Sequence, residues 1–195
     1  AAKKEFEQAS SLTSDDRLLA RVRQELRSLE LAASIGEYFP NYQLVNYREL
    51  NTAGADYAPI LSEEFLYFTS GRASSSLYAA TGTPYHQLFR TRAEGLKVDA
   101  GSIQPLPEFQ NEEGLNQAAL AISPDGNTLI YARGNSTSSK DYPETTLFAS
   151  YFRGAGFTQP IWLPLNEEDS WWNSTPAFSV DGSELYFAST RPGGF

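Results

Sequence analysis

From residue 56 onward, apolar and polar positions alternate in short runs separated by turn residues, and the same arrangement comes round three times. The first copy runs from Asp56-Tyr57-Ala58-Pro59-Ile60-Leu61-Ser62 to Phe65-Leu66-Tyr67-Phe68-Thr69-Ser70-Gly71-Arg72. The second runs from Ala119-Leu120-Ala121-Ile122-Ser123-Pro124-Asp125-Gly126 to Leu129-Ile130-Tyr131-Ala132-Arg133. The third runs from Ser174-Thr175-Pro176-Ala177-Phe178-Ser179-Val180-Asp181-Gly182 to Leu185-Tyr186-Phe187-Ala188-Ser189-Thr190-Arg191. Alternation at period 2 predicts strands. Asp-Gly between two strands predicts a tight turn, because Gly takes positive φ without a Cβ clash and Asp hydrogen-bonds its own backbone. In the first copy Glu63-Glu64 replaces that turn and leaves it two residues shorter.

Aligned on Leu66, Leu129 and Leu185, the copies are 63 and 56 residues apart. That spacing fits a four-stranded propeller blade of roughly 40 to 50 residues with long loops. The three leucines are therefore expected to be equivalent buried positions on the second strands. Residues 87–92 and 102–106, then 146–152 and 160–165, read as the third and fourth strands of successive blades. Pro in the fourth strands suits an outer edge, which can spare a backbone donor. One further copy of that last element, residues 42–50, precedes the first blade. It predicts an outermost strand whose inner partners come from the far end of a ring, a clasp that leaves no open sheet edge. The fold class expected is mainly β: a partial β-propeller over residues 42–195, after a short helical hairpin over residues 1–36.

The first 36 residues follow a different period. Ala2, Phe6 and Ala9 keep the small-x3-aromatic-x2-small spacing that closes the second helix of a tetratricopeptide repeat. Ser14-Asp15-Asp16 caps a second helix whose apolar positions Leu18, Leu19, Val22, Leu26, Leu29 and Ala33 recur at helical spacing. Gly36 and Pro40 are expected to end it. A single helix pair buries little core, so the end of a helical repeat array is the favoured reading, beside a lone hairpin.

Composition narrows the function classes. With 15 Lys+Arg against 24 Asp+Glu the formal net charge is −9, which argues against nonspecific binding to nucleic acid or anionic lipid. No stretch approaches the roughly 20 apolar residues of a membrane span. The absence of Cys excludes disulfides, thiolate catalysis and Cys-based zinc sites. His86 is the only histidine and no Gly-x-Ser-x-Gly elbow accompanies it, so no catalytic residue is expected and His86 is read as a surface or turn residue. Glu112-Glu113 and Glu167-Glu168-Asp169 lack the alternating ligand spacing of a calcium loop, and Arg191-Pro192-Gly193-Gly194 lacks the helix and Lys of a phosphate loop. No metal site and no cofactor are expected. Trp171-Trp172, beside Asn173, is the one candidate ligand or partner contact. It stands against a second reading in which the indoles wedge neighbouring blades together.

The fullest copy, Pro176 to Phe195, reads Pro-x-x-Ser-x-Asp-Gly-x-x-Leu-Tyr-Phe-x-Ser-x-Arg-Pro-Gly-Gly-Phe. This resembles the PD40 (WD40-like, TolB-type) β-propeller repeat. The order of helices, then Leu50-Asn51-Thr52, then Asp56-Tyr57-Ala58-Pro59 is similar to outer-membrane-associated proteins of the Bacteroidota. Those proteins join tetratricopeptide repeats, a PD40 propeller and an OmpA-like peptidoglycan-binding domain, and some serve type IX secretion. The resemblance implies a noncatalytic scaffold at the periplasmic face of the outer membrane, with other envelope proteins as partners. It implies peptidoglycan contact only through a domain that no residue here matches. A start at Ala1-Ala2-Lys3-Lys4 without Met, and a stop at Phe195 inside the motif, give the expectation of a processed or truncated chain. Two alternatives stand beside the scaffold. One is a carbohydrate- or peptide-binding propeller using its central funnel or the Trp pair, and the other is the propeller of a peptidase whose hydrolase domain lies elsewhere.

Overall fold

The computed structural model describes residues 2–38, 45–62, 64–72, 74–107, 110–134, 145–154, 156–166 and 172–193. The chain is mainly β, and it divides into two units, Ala1–Asn46 and Tyr47–Phe195.

In the first unit α1 (Ala2–Leu12) is followed by α2 (Asp16–Tyr38). Asp15 is the cap of α2: its carboxylate accepts the amides of Arg17 at 2.8 Å and Leu18 at 3.1 Å, two of the donors a helix start leaves unsatisfied. Contrary to expectation, α2 runs through Gly36 to Tyr38. Glycine costs a helix only about 1 kcal/mol, too little to stop it. Among the described side chains of this unit Val22 is buried, while Leu18 is 46% and Leu31 63% exposed.

The second unit is built from antiparallel ladders. β1 (Asp56–Ser62), β2 (Phe65–Ser70), β5 (Gln87–Glu94) and β6 (Lys97–Pro105) form one sheet in that order, with the small hairpin β3 (Leu77–Tyr78) and β4 (Thr83–Pro84) between β2 and β5 in sequence. β7 (Asn116–Ile122), β8 (Thr128–Gly134) and β9 (Thr145–Arg153) form the next, with β10 (Gly156–Phe157) and β11 (Ile161–Trp162) both on β9. β12 (Asn173–Phe178) and β13 (Leu185–Ser189) pair with each other. The expected strand at 160–165 is cut short. Only Ile161 and Trp162 pair, and Pro164–Asn166 winds into a 3-10 turn. The β3–β4 hairpin was not foreseen, since two-residue strands carry no period.

The clasp expected at 42–50 needs correction. Residues 42–44 lie outside the described residues, and 45–50 hold no strand. Instead the amides of Leu50 and Asn51 both donate to the Tyr47 carbonyl, at 2.9 and 3.2 Å. Gln110 and Asn111 repeat the turn on Pro107 at 2.9 and 3.2 Å. What the two places share is the linker turn, which at 107–111 follows a strand. Its Asn111 is buried and takes the place of a strand partner, accepting from Leu88 N–H at 2.7 Å and donating to the carbonyls of Leu88 and Leu106 at 2.9 and 3.0 Å.

The repeat itself holds down to single residues. Leu66 faces Leu61, Leu129 faces Ile122 and Leu185 faces Phe178 across their hairpins. The two longer turns are closed alike: the Ser123 hydroxyl meets Asp125 at 2.5 Å and receives Thr128 N–H at 2.9 Å, while Ser179 meets Asp181 at 2.6 Å and receives Glu184 N–H at 3.0 Å. Gly126 and Gly182 take the left-handed φ of 70° and 72° that the turn requires. Alternation on β8 and β9 then buries both faces of the second sheet. Leu129, Tyr131 and Phe148 join Tyr67 and Leu88 of the first sheet. Ile130, Ala132, Leu147 and Ala149 face Phe178, Leu185 and Phe187. Leu129 is wholly buried, whereas Leu66 and Leu185 are half-buried.

Candidate functional site: a cleft at three bulged strands

The opening strand of each repeat carries the same defect. Its register slips by one residue between Tyr57 and Ile60, between Ala118 and Ala121, and between Ser174 and Ala177. At the extra residue the backbone is left-handed without being glycine: Ala58 at φ 52°, Ala119 at 51° and Thr175 at 47°. Such bulges re-aim side chains, and a β-branched residue in this region is a genuine outlier.

β1 and β12 both pack against β7, and the three bulges open onto one cleft of about 340 Å³. Tyr57, Ala118, Ala119, Ser174 and Thr175 come from the bulged strands. Tyr78, Thr81 and Thr83 come from the β3–β4 hairpin, Ala132, Gly134 and Thr145 from the ends of β8 and β9, and His86, Asn116 and Trp172 complete the wall. None of these is Asp, Glu, Lys or Arg. A second cleft of about 530 Å³, at the β5–β6 turn, is lined instead by Glu64, Arg92, Glu94, Lys97 and Asp99, charges of both signs on a solvated edge.

His86 lies in the short connection between β4 and β5, as the surface-or-turn reading allows. It is half-buried, its Nδ1 lies 2.9 Å from the Tyr57 hydroxyl, its amide donates to the Asn116 side-chain oxygen at 2.9 Å, and its carbonyl accepts Gln117 N–H at 2.9 Å. Burial lowers its pKa below the ordinary 6.5, so the ring is neutral at pH 7. Burial likewise pushes Tyr57 up to about 12. The pair therefore presents a neutral phenol and a neutral imidazole, a hydrogen-bonding couple that no carboxylate of the described cleft lining backs as a base.

Of the aromatic and amide positions singled out in the sequence, Trp172 lines the cleft, half-buried, and its backbone is tied to Thr190 by Thr190 N–H at 3.0 Å and Thr190 Oγ1 at 2.9 Å. Trp171 lies outside the described residues. Asn173 is wholly buried and accepts from Arg191 at 3.4 Å, so it points to the interior of its repeat. Sequence reasoning missed Tyr57, Tyr78 and the threonines. The signal available was the position shared by Tyr57, Ala118 and Ser174 in the three repeats, which became meaningful only with the bulge. Among the described residues no three His, Cys, Asp or Glu side chains stand close enough to hold a metal, and no helix is long and apolar enough to cross a membrane. No known family model matches this chain, and no curated protein resembles it at a significant level.

Proposed function

We propose that the second unit is a run of β-propeller blades acting as a noncatalytic binding module, with its recognition face at the bulged strands. The observation that carries this reading is the cleft: three repeats bring equivalent positions to one place and line it with neutral aromatic and hydroxyl side chains. The meandering sheets, the repeat spacing and the PD40-like motif support a propeller. In a ring of that kind the first strand of each blade runs beside the central axis, which is where β1, β7 and β12 would sit. The helical unit reads as the end of a tetratricopeptide-like array. On the same resemblance the module serves the bacterial cell envelope, at the periplasmic face of the outer membrane, and holds other envelope proteins.

The test is site-specific photocrosslinking in cells that make the protein. A photoreactive phenylalanine at Tyr57, Tyr78 or Trp172 should give discrete adducts with a small set of envelope components. The same residue at Leu96 or Ile161, exposed sites away from the cleft, should give few. Adducts concentrated at the outer positions, or none from the cleft, would reject the assigned face.

A further inference from the structure

We propose that the cleft binds an uncharged carbohydrate. This rests on the binding-module reading above and narrows it to a ligand class.

The first argument is electrostatic. Charged residues make up 20% of the chain, yet none of the described residues that line this cleft is charged. Against that described wall a charged ligand would give up hydration without gaining a counter-charge, which is costly. The chain's net charge of −9 further disfavours anions. The second argument is the pairing of surfaces. Trp172 and Tyr78 bring half-buried aromatic side chains to the lining, while Thr81, Thr83 and Thr175 bring exposed hydroxyl-bearing residues. An apolar ligand would cover those hydroxyls without replacing their water. A pyranose presents an apolar C–H face ringed by hydroxyl groups, and it matches both surfaces: the C–H face lies on an aromatic ring, and the hydroxyls meet threonines that each donate one hydrogen bond and accept two. Thr81 and Thr83 are already joined at 2.7 Å, which fixes both hydroxyls while leaving acceptor capacity on the pair. The Tyr57–His86 couple at 2.9 Å adds a second neutral group of the same kind.

The third argument is strain. Thr175 reaches the cleft from a left-handed backbone at φ 47°, a conformation that costs on the order of 1 to 3 kcal/mol and persists where the surroundings impose it, often at ligand sites. The volume of about 340 Å³ falls within the range of about 300 to 1,000 Å³ of small-molecule sites.

The test is titration of the whole 195-residue chain at pH 7 with cellobiose, maltose, lactose and mannobiose, read by heat and by Trp fluorescence. Glucuronic acid, glucosamine and an uncharged capped Gly-Tyr-Gly tripeptide are run beside them. At least one neutral disaccharide should bind saturably and change Trp emission, with the charged sugars weaker. Trp172→Ala should weaken that binding by about tenfold or more. Thr83→Ala and Thr175→Ala, at exposed positions that leave folding intact, should each weaken it by about three- to tenfold; they carry the result if Trp172→Ala unfolds. Charged sugars binding as tightly as neutral ones, or threonine variants binding unchanged, would overturn the proposal. No binding of any disaccharide overturns it as well. If the tripeptide binds and the sugars do not, the carbohydrate assignment fails while the binding-module reading stands. If the cleft also gives no photocrosslinks, both fail.

Discussion

Arg72 and Arg191 follow the second strands of the first and third repeats at the same register, and their surroundings match almost atom for atom. Each Nε donates to the serine two residues back, Ser70 at 2.8 Å and Ser189 at 3.1 Å. Each Nη2 donates to the carbonyl of the linker leucine, Leu50 at 2.5 Å and Leu165 at 2.9 Å. Each guanidinium lies over a ring, Phe68 at 4.8 Å and Phe187 at 5.0 Å. They differ in the last partner, the Asp56 carboxylate at 2.8 Å in one and the Asn173 amide oxygen at 3.4 Å in the other. The middle repeat reaches the same end from another position: Arg133, two residues earlier in the alignment, covers the stacked Tyr131–Phe148 pair and donates to Glu112 at 3.0 Å. A cation over an aromatic ring is therefore the constant, while the partner from the opening strand changes from the Asp56 carboxylate to the Asn173 amide. The reason is that a guanidinium carries five donors. Carbonyl, hydroxyl and ring face satisfy most of its demand, and a carboxylate is one acceptor among several.

The comparison can be strained first through the core that separates the repeats. Leu129, with no exposed surface, should cost about 3 to 5 kcal/mol as Leu129→Ala, against about 1 to 2 for Leu66→Ala or Leu185→Ala, which leave partly exposed positions. Urea unfolding midpoints measure this, and equal losses at all three sites would mean that the middle sheet is not buried on both faces. Next in size, Arg72→Ala should cost about 2 to 3 kcal/mol because it leaves the Asp56 carboxylate, whose side chain is 11% exposed, without its counter-charge. Arg191→Ala removes the donor to the Leu165 carbonyl and the Asn173 amide oxygen and should cost about 1 kcal/mol or more. A loss below about 1 kcal/mol for Arg72→Ala would show that the counter-charge is irrelevant to its own repeat.

Asp56→Asn converts the first knot into the third, and should cost about 1 kcal/mol at pH 7. Burial raises the Asp56 pKa, but hydrogen bonds from Ser70, Arg72 and Thr52 outweigh it and hold the group at about 2, against about 3.9 in an unfolded chain. Because the folded value is the lower, its contribution is present above about pH 4 and lost as pH falls through about 2. Thermal scans between pH 4 and pH 2 should show a smaller acid loss in Asp56→Asn than in the parent. The smallest effect concerns the bulge. Thr175→Gly should raise stability by about 0.5 to 1 kcal/mol by relieving the left-handed backbone, whereas the same change at Ala58 or Ala119 removes less side-chain crowding and should gain less. A loss at Thr175 would mean that its side chain packs better than its strained backbone suggests.

Much of the β unit was legible in the chain. The alternation around Leu66, Leu129 and Leu185 located six strands. The Ser-x-Asp-Gly pattern located two turns, because each of those residues has one local job: a hydroxyl to hold the loop, a carboxylate to cap it and a glycine for positive φ. The linker before the first repeat was misread as a strand for a physical reason. Residues 47–50 alternate like an edge strand, yet Leu50 is buried at 6% exposure and its carbonyl serves Arg72, a contact 22 residues away that no local pattern records. Gly36 was misread as a stop because its cost to a helix is small beside that of proline.

What the sequence determined by itself was periodicity: which residues alternate, where the chain turns, and that one unit is helical and the other is a repeat of strands. What only the tertiary structure decided was the cleft. Left-handed backbone at two alanines and a threonine runs against every local preference, so no propensity announces it. It exists because register within each hairpin admits one extra residue, and the packing of β1 and β12 against β7 holds the result in place. Burial then made His86 a neutral partner of Tyr57, since the free energy of its charge depends on what surrounds the ring and not on its neighbours in the chain.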